Sequence, residues 1–347
     1  MTASTASAGS TDPGVAVLEW ARELTGPALR SWTERLPPAV AGWAGYHLGL
    51  QDEAGRPLRG YWGKAVRPAL VLTCAEAVGG GARDAVRAAV AVELVHNFSL
   101  LHDDVIDQDA LRRHRPTVWK LFGVPAAVLT GDALLALAHR VLAAVPGPET
   151  VSSIAMLSGA VEELVEGEAL DVVFERRSEV TTAEYAAMAT AKTGSLMGAA
   201  CGLGALAGGA DAERALPLVE FGRHLGLAFQ IVDDLLGVFG DPRTTGKPVG
   251  SDIAARKKTY PVLAALASGA AQGRTLAGLY ASGDPLSEAD LRWAALLVTD
   301  AGGVRAARLA VERELEAAFA ALAEAEPAAD SRRDLTALAH VLTRRNA

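Results

Sequence analysis

ARDAVRAAVAVELVHNFSLLHDDVID, residues 82–107, is apolar nearly all round for several turns and ends in a run of carboxylates. A helix apolar on every face belongs at the centre of a large bundle, where all of its sides are covered. A second stretch has the same design: LPLVEFGRHLGLAFQIVDDLLGVFG, residues 216–240, has an apolar body and an acidic pair near its carboxyl end. The sequence therefore predicts two central helices with matching acidic tips.

Around these two, alanine, leucine and glutamate dominate between short Gly and Pro breaks, and runs of β-branched or aromatic residues are few. Propensity points to helix almost throughout and to an all-α fold, a bundle of long helices. Further helices are expected over 15–24, 28–36, 38–48, 65–77, 129–143, 151–174, 181–208, 260–267, 287–299, 302–326 and 331–344. The breaks, among them Gly208-Gly209 and Gly273 to Pro285, are too short for an interdomain linker. Residues 15–347 thus read as one domain behind a loose tail over 1–14.

Of the 347 residues, 70 are alanine and 50% are hydrophobic, enough for a sizeable core of small aliphatic side chains. Two cysteines exclude a disulfide framework and a thiolate zinc cluster. A net charge of −8, from 33 Lys plus Arg against 41 Asp plus Glu, argues against a nucleic-acid partner. The first fourteen residues lack the basic start and apolar core of a secretory signal. The apolar runs are interrupted before about 18 residues, so no membrane span and a cytoplasmic location are expected. No GxSxG, HExxH or Walker A motif is present, nor a GxGxxG after a strand, which removes the common hydrolase, protease and nucleotide readings.

On a helix Asp103 and Asp107 are four apart and share a face, with Asp104 beside them. Carboxylates this close repel one another, so the cluster makes best sense around hard cations such as Mg²⁺; a solvated helix end with chance acidity is the alternative. Asp233 and Asp234 form the second cluster, and Gly237 leaves a gap on their stripe. Ions held between two such rims need an anion such as a diphosphate to balance them. Basic residues supply the counterpart. Lys64 and Arg67 stand at a helix start, where free N–H groups favour phosphate. Arg112 and Arg113 come directly after the first acidic cluster, Lys192-Thr193 lies inside a helical stretch, and Lys247 and Lys257 come just after the second cluster.

LLHDDVID with RRHRPT after it, FQIVDDLLGVFGD and GKPVGSDIAARKKT resemble the trans-isoprenyl diphosphate synthases of the polyprenyl synthetase family, over about residues 63–261. Within that family the likeness is to bacterial geranylgeranyl diphosphate synthases. The resemblance implies long helices around a central hydrophobic cavity, a homodimer, and condensation of isopentenyl diphosphate with C5, C10 or C15 allylic diphosphates to an all-trans product. It implies that Asp103, Asp104, Asp107, Asp233 and Asp234 hold two or three Mg²⁺ ions. By the same resemblance Arg112 grips the allylic diphosphate, while Lys64, Arg67, His96 and Arg113 form the isopentenyl diphosphate pocket. Lys192, Thr193, Gln230, Lys247 and Lys257 would close over the allylic side.

Phe98 and Ser99 stand where the family sets product length, and a single aromatic there points to the C20 product, geranylgeranyl diphosphate, with C15 or longer as the alternative. Three positions depart from the pattern: Gly237 where a third aspartate is common, Glu168 where glutamine is usual, and His114 where glycine is common. A class I terpene cyclase would not need Lys64, Arg67, His96 and Arg113. A non-catalytic partner subunit would not need a complete first motif, and Gly237 alone favours it.

Overall fold

Asp12 caps the first helix, its carboxylate accepting from Gly14 N at 2.9 Å, and Pro13 supplies the preset φ of a first helical residue. The computed structural model describes residues 12–58, 63–240, 250–282 and 285–344. Helix α1 (Pro13–Thr33) runs straight through Gly26-Pro27, where the sequence predicts a break between two helices. Val17, Leu18, Ala21, Thr25 and Leu29 are buried along one face, and this packing overrides the hydrogen bond that a proline forgoes.

After α2 (Pro38–His47) and α3 (Val66–Ala77) comes α4 (Val86–Ile106). Ala88 through Val95 are all buried, so no face of the α4 body meets solvent, as its sequence predicts. The next segment lies outside every predicted helix and forms a short hairpin. Leu111–Arg112 (β1) and Arg115–Pro116 (β2) pair antiparallel, Arg112 opposite Arg115. The two turn residues, Arg113 and His114, have φ of 51° and 62°. A two-residue hairpin loop demands this left-handed pair, which is why glycine would be at ease at position 114. Tyr46 pins the hairpin by donating to Pro116 O at 2.8 Å.

The chain continues through α5 (Val118–Phe122), α6 (Val124–Ala143), α7 (Thr150–Arg176), α8 (Thr182–Ala189) and α9 (Ser195–Ala207). A capping box starts α8: Thr181 Oγ1 accepts from Glu184 N, and Glu184 accepts from Thr181 N. Between α8 and α9 lies one wide π turn, Thr190–Gly194, so the helix expected over 181–208 is continuous but carries an extra residue in one turn. Among the described residues six elements come after α10 (Ala212–Phe239): α11 (Ser251–Ala254), α12 (Tyr260–Leu266), α13 (Ala271–Ala281), α14 (Glu288–Asp300), α15 (Gly303–Glu324) and α16 (Ala329–Thr343). Helix α13 fills most of the break expected from Gly273 to Pro285. Gly273 ends no helix, because a Cβ there would run into Ala265 O of α12, and the glycine serves that close approach.

Helix α10 packs on α9, the π turn and α15, while α4 packs on α6. Contrary to the expectation that apolar runs stop short, α6 is long and apolar enough to cross a membrane, with a mean hydropathy of 1.4. Half of that stretch is buried against the bundle, and Val124, Val128 and Leu129 are exposed.

Two glycines bring the π turn against its neighbours. A Cβ on Gly226 of α10 would lie 2.6 Å from Gly194 Cα, and one on Gly167 of α7 would collide with the backbone of Lys192. Gly167→Ala should therefore push α7 off the π turn and cost about 1–3 kcal/mol, measured as a lower urea midpoint.

Candidate active site

The acidic tips of α4 and α10 open on a cavity of about 500 Å³. From α4, Glu93, His96, Ser99, Leu100 and Asp103 reach it along one helical stripe. Helix α10 adds Phe229, Gln230 and Asp233, the π turn adds Lys192 and Thr193, and α7 adds Leu164 and Glu168. Lys64 and Arg67 come from the start of α3, and Arg112 and Arg113 from the hairpin. The structure thus brings together Lys64, Arg67, His96, Ser99, Asp103, Arg112, Arg113, Lys192, Thr193, Gln230 and Asp233. Lys247 lies outside the described residues.

In each acidic pair only the first carboxylate lines the cavity, because adjacent helical residues point about 100° apart. Asp104 is 1% exposed and accepts from Arg112 Nε at 2.7 Å. It anchors the hairpin through Arg112 and is absent from the cavity lining. Asp234 is likewise buried, its oxygens accepting from Tyr260 N at 2.8 Å and Gln230 Nε2 at 3.2 Å. Asp107 pairs with Lys257 Nζ at 2.8 Å, which ties Lys257 to the acidic tip. Lys192 Nζ lies 2.6 Å from Glu168 and 2.7 Å from Asp171, and Thr193 Oγ1 donates to Gln230 Oε1 at 2.7 Å.

Phe98 is not part of the lining. Its ring meets His102 edge-on, centroids 4.8 Å apart, and His102 itself contacts Val128 O of α6. Ser99, one position on, faces the cavity together with the apolar Leu100, Leu164, Met197 and Phe229.

Burial pushes Asp103 up to about 7, and the Glu168 charge adds to it against Lys192 and Arg112. Burial also pushes Asp234 up to about 7, opposed by the hydrogen bonds it accepts. His96 is held well below its ordinary value by burial and by Arg67 and Arg113, so it is a neutral imidazole among cations. Burial works to lower Lys192, but Asp171, Glu168 and Asp103 outweigh it and hold it above its ordinary value. Arg67 Nε is buried and finds no hydrogen-bond partner among the described residues. Such a guanidinium, with Lys64, Arg112 and Arg113 around it, is suited to a polyanion.

Asp103 and Asp233 present carboxylates to the same cavity, yet among the described residues no three His, Cys, Asp or Glu groups converge as a cage. That donor set fits Mg²⁺, which takes one or two carboxylates and completes its shell with water and phosphate oxygens. The Gly237 gap is filled from elsewhere: a Cβ there would collide with the carboxylate of Asp252 on α11. Sequence reasoning misses Glu93, Asp171 and Asp252. Glu93 carried a signal, since it extends the polar stripe of His96 and Asp103 on an otherwise apolar helix. Asp171 lies one turn beyond Glu168, whereas the place of Asp252 depends on the path of the chain.

The polyprenyl synthetase model matches residues 53–297. The chain is 45% identical over 335 residues to the geranylgeranyl diphosphate synthase of Mycobacterium tuberculosis (strain ATCC 25618 / H37Rv), covering 96% of this chain and 95% of that one. It is 51% identical over 261 residues to the (2E,6E)-farnesyl diphosphate synthase of the same organism, covering 75% and 73%. Among solved structures, a polyprenyl synthetase from Streptomyces coelicolor A3(2) matches with a TM-score of 0.90 at 44% identity, covering 94% of this chain and 98% of that one. The chain belongs to the polyprenyl synthetase family. It is a trans-prenyltransferase that condenses isopentenyl diphosphate with allylic diphosphates, and catalysis in this family depends on Mg²⁺.

The opposite settings of the first acidic pair predict opposite effects in the metal-free protein. Asp104→Asn leaves Arg112 without its partner and should cost about 2 kcal/mol. Asp103→Asn should be stabilising, because folding opposes ionisation of that carboxylate. A raised folded pKa makes ionisation progressively costlier as pH climbs from the ordinary range near 4 to about 7. Urea denaturation in EDTA should show Asp103→Asn gaining on the wild type through that window and levelling off above it.

Proposed function

We propose that the product is geranylgeranyl diphosphate, C20, and that Asp103, Asp107 and Asp233 hold two or three Mg²⁺ ions. The observation that carries this reading is the meeting of two carboxylate rims, a group of cations and an apolar wall in one cavity. Lys64, Arg67 and Arg113 bind the diphosphate of isopentenyl diphosphate, and neutral His96 adds a hydrogen bond without adding charge. Arg112, Lys192 and Lys257 bind the allylic diphosphate, with Lys247 assigned to the same side. Mg²⁺ bound there offsets the negative charge that grows on the diphosphate as its C–O bond breaks. Asp104 acts through Arg112, and Asp234 through Gln230 and the start of α12. Leu100, Leu164, Met197 and Phe229 keep water from the allylic cation while the isopentenyl double bond attacks it, and the cation so formed loses a proton to the released diphosphate to give the new double bond.

Support for C20 comes from the relative whose similarity spans 96% of the chain, against 75% for the C15 synthase. Ser99 leaves open the space that an aromatic would fill. The floor is therefore assigned to Ser99, Leu164 and Met197 rather than to Phe98. Residues 15–347 act as one domain in the cytoplasm. The exposed apolar residues Leu121, Val124, Val128 and Leu129 of α5 and α6 form the face that a second copy covers in a homodimer.

Incubation with Mg²⁺, isopentenyl diphosphate and each of the C5, C10 and C15 allylic diphosphates, with the products sized by chromatography, should give C20. A C15 end product would refute the length assignment, and no condensation at all would refute the site reading. Ser99→Phe should shorten the product to C15, whereas Phe98→Ala should leave its length unchanged and cost about 3 kcal/mol of stability. Light scattering should find a dimer that Leu129→Asp converts to monomer.

A further inference from the structure

Lys192 has more carboxylates around it than its single charge needs. Its ammonium lies 2.6 Å from Glu168 Oε2 and 2.7 Å from Asp171 Oδ2. Only the Asp171 contact has hydrogen-bond geometry. Glu168 Oε2 is buried and finds no hydrogen-bond partner among the described residues, although it stands within ion-pair distance of the ammonium. Asp171 alone would neutralise Lys192. Glu168 is then an excess charge, its side chain only 13% exposed and part of the cavity lining. A poorly solvated carboxylate with so few partners does not favour stability.

The backbone fixes this arrangement. Lys192 sits on the π turn, whose backbone rests directly on Gly167, the residue before Glu168. The lysine side chain therefore leaves the π turn beside Glu168, and Asp171 waits one turn further along α7. Asp103 faces the same ammonium from α4, so two carboxylates of the lining, Asp103 and Glu168, bear on one cation. Arg112 and Lys257 on that side are each matched by a carboxylate of their own, Asp104 and Asp107, so until cations neutralise the excess of Asp103 and Glu168 the allylic side of the cavity repels a free polyanion.

We propose that Glu168 is a positioning residue that, with Asp171, holds the Lys192 ammonium against α7 and makes diphosphate binding at the allylic side conditional on a divalent cation. The inference rests on the diphosphate site proposed above and assigns Glu168 a role in the order of binding: cation with or before anion, never anion alone. Replacing the carboxylate by its neutral isostere removes one negative charge from the cavity and frees Lys192 from one of its two tethers.

Titration calorimetry with inorganic diphosphate, in Mg²⁺ and in EDTA, tests this. The wild type should bind with Mg²⁺ and much more weakly in EDTA. Glu168→Gln should bind metal-free diphosphate about tenfold more tightly than the wild type, the order expected for one charge roughly 10 Å away. Glu168→Asp keeps the charge and should keep the wild-type gap. Thermal unfolding should show no loss of stability in Glu168→Gln, which separates the effect from a folding defect. An unchanged gap in Glu168→Gln, or Glu168→Asp behaving like Glu168→Gln, would overturn the inference and leave the site reading intact. A wild type that binds no diphosphate even with Mg²⁺ would overturn both.

Discussion

Charge carried into an apolar bundle has to be matched where it stands, and that constraint arranges the segments around the cavity. Three stretches far apart in sequence bring cations to the acidic tips, and an ion pair fastens each of them. Arg112 of the hairpin meets Asp104, Lys192 of the π turn meets Asp171 and Glu168, and Lys257 meets Asp107. An isolated buried charge costs several kcal/mol, so moving any one of these segments would strand a carboxylate or a cation. The hairpin is the clearest case. It accepts two residues with positive φ, one of them a histidine, in order to put adjacent arginines beside α4.

The two central helices are legible in the sequence because full burial leaves a compositional trace: Ala88 to Val95 has no polar side chain except Glu93. The residues that gather at the cavity are legible too, as charges at the ends of helices too apolar to be surface elements. Direction is what composition hides. Asp103 and Asp104, Asp233 and Asp234, and Phe98 and Ser99 are neighbours in sequence, and a rotation of about 100° sends one of each pair to the cavity and the other into the packing. Pro27 and Gly273 are misread for a related reason. Both residues commonly end helices, but here the partner helices decide, through the buried face of α1 and the contact of α13 with α12.

Gly237 has a similar lesson for motifs. A glycine on the acidic stripe of α10 reads as a lost carboxylate, yet the space it leaves is occupied by the carboxylate of Asp252. Acidity at that tip is contributed by two elements, α10 and α11, and Asp252 adds to the forces that disfavour ionisation of Asp234.

The wide turn at Thr190–Gly194 sets the rotational phase of the helix beyond it. One extra residue in a helix turns every later side chain by about 100° relative to the part before it. Ser195 to Leu206, buried throughout, therefore meets α3 and α10 with faces that a regular α-helix continued from α8 would have directed elsewhere. Removing one residue there would heal the backbone hydrogen bonding and misalign twelve consecutive core positions at once. In this part of the chain length is a more exacting requirement than identity: a substitution disturbs one contact, whereas a single-codon deletion rewrites an entire interface.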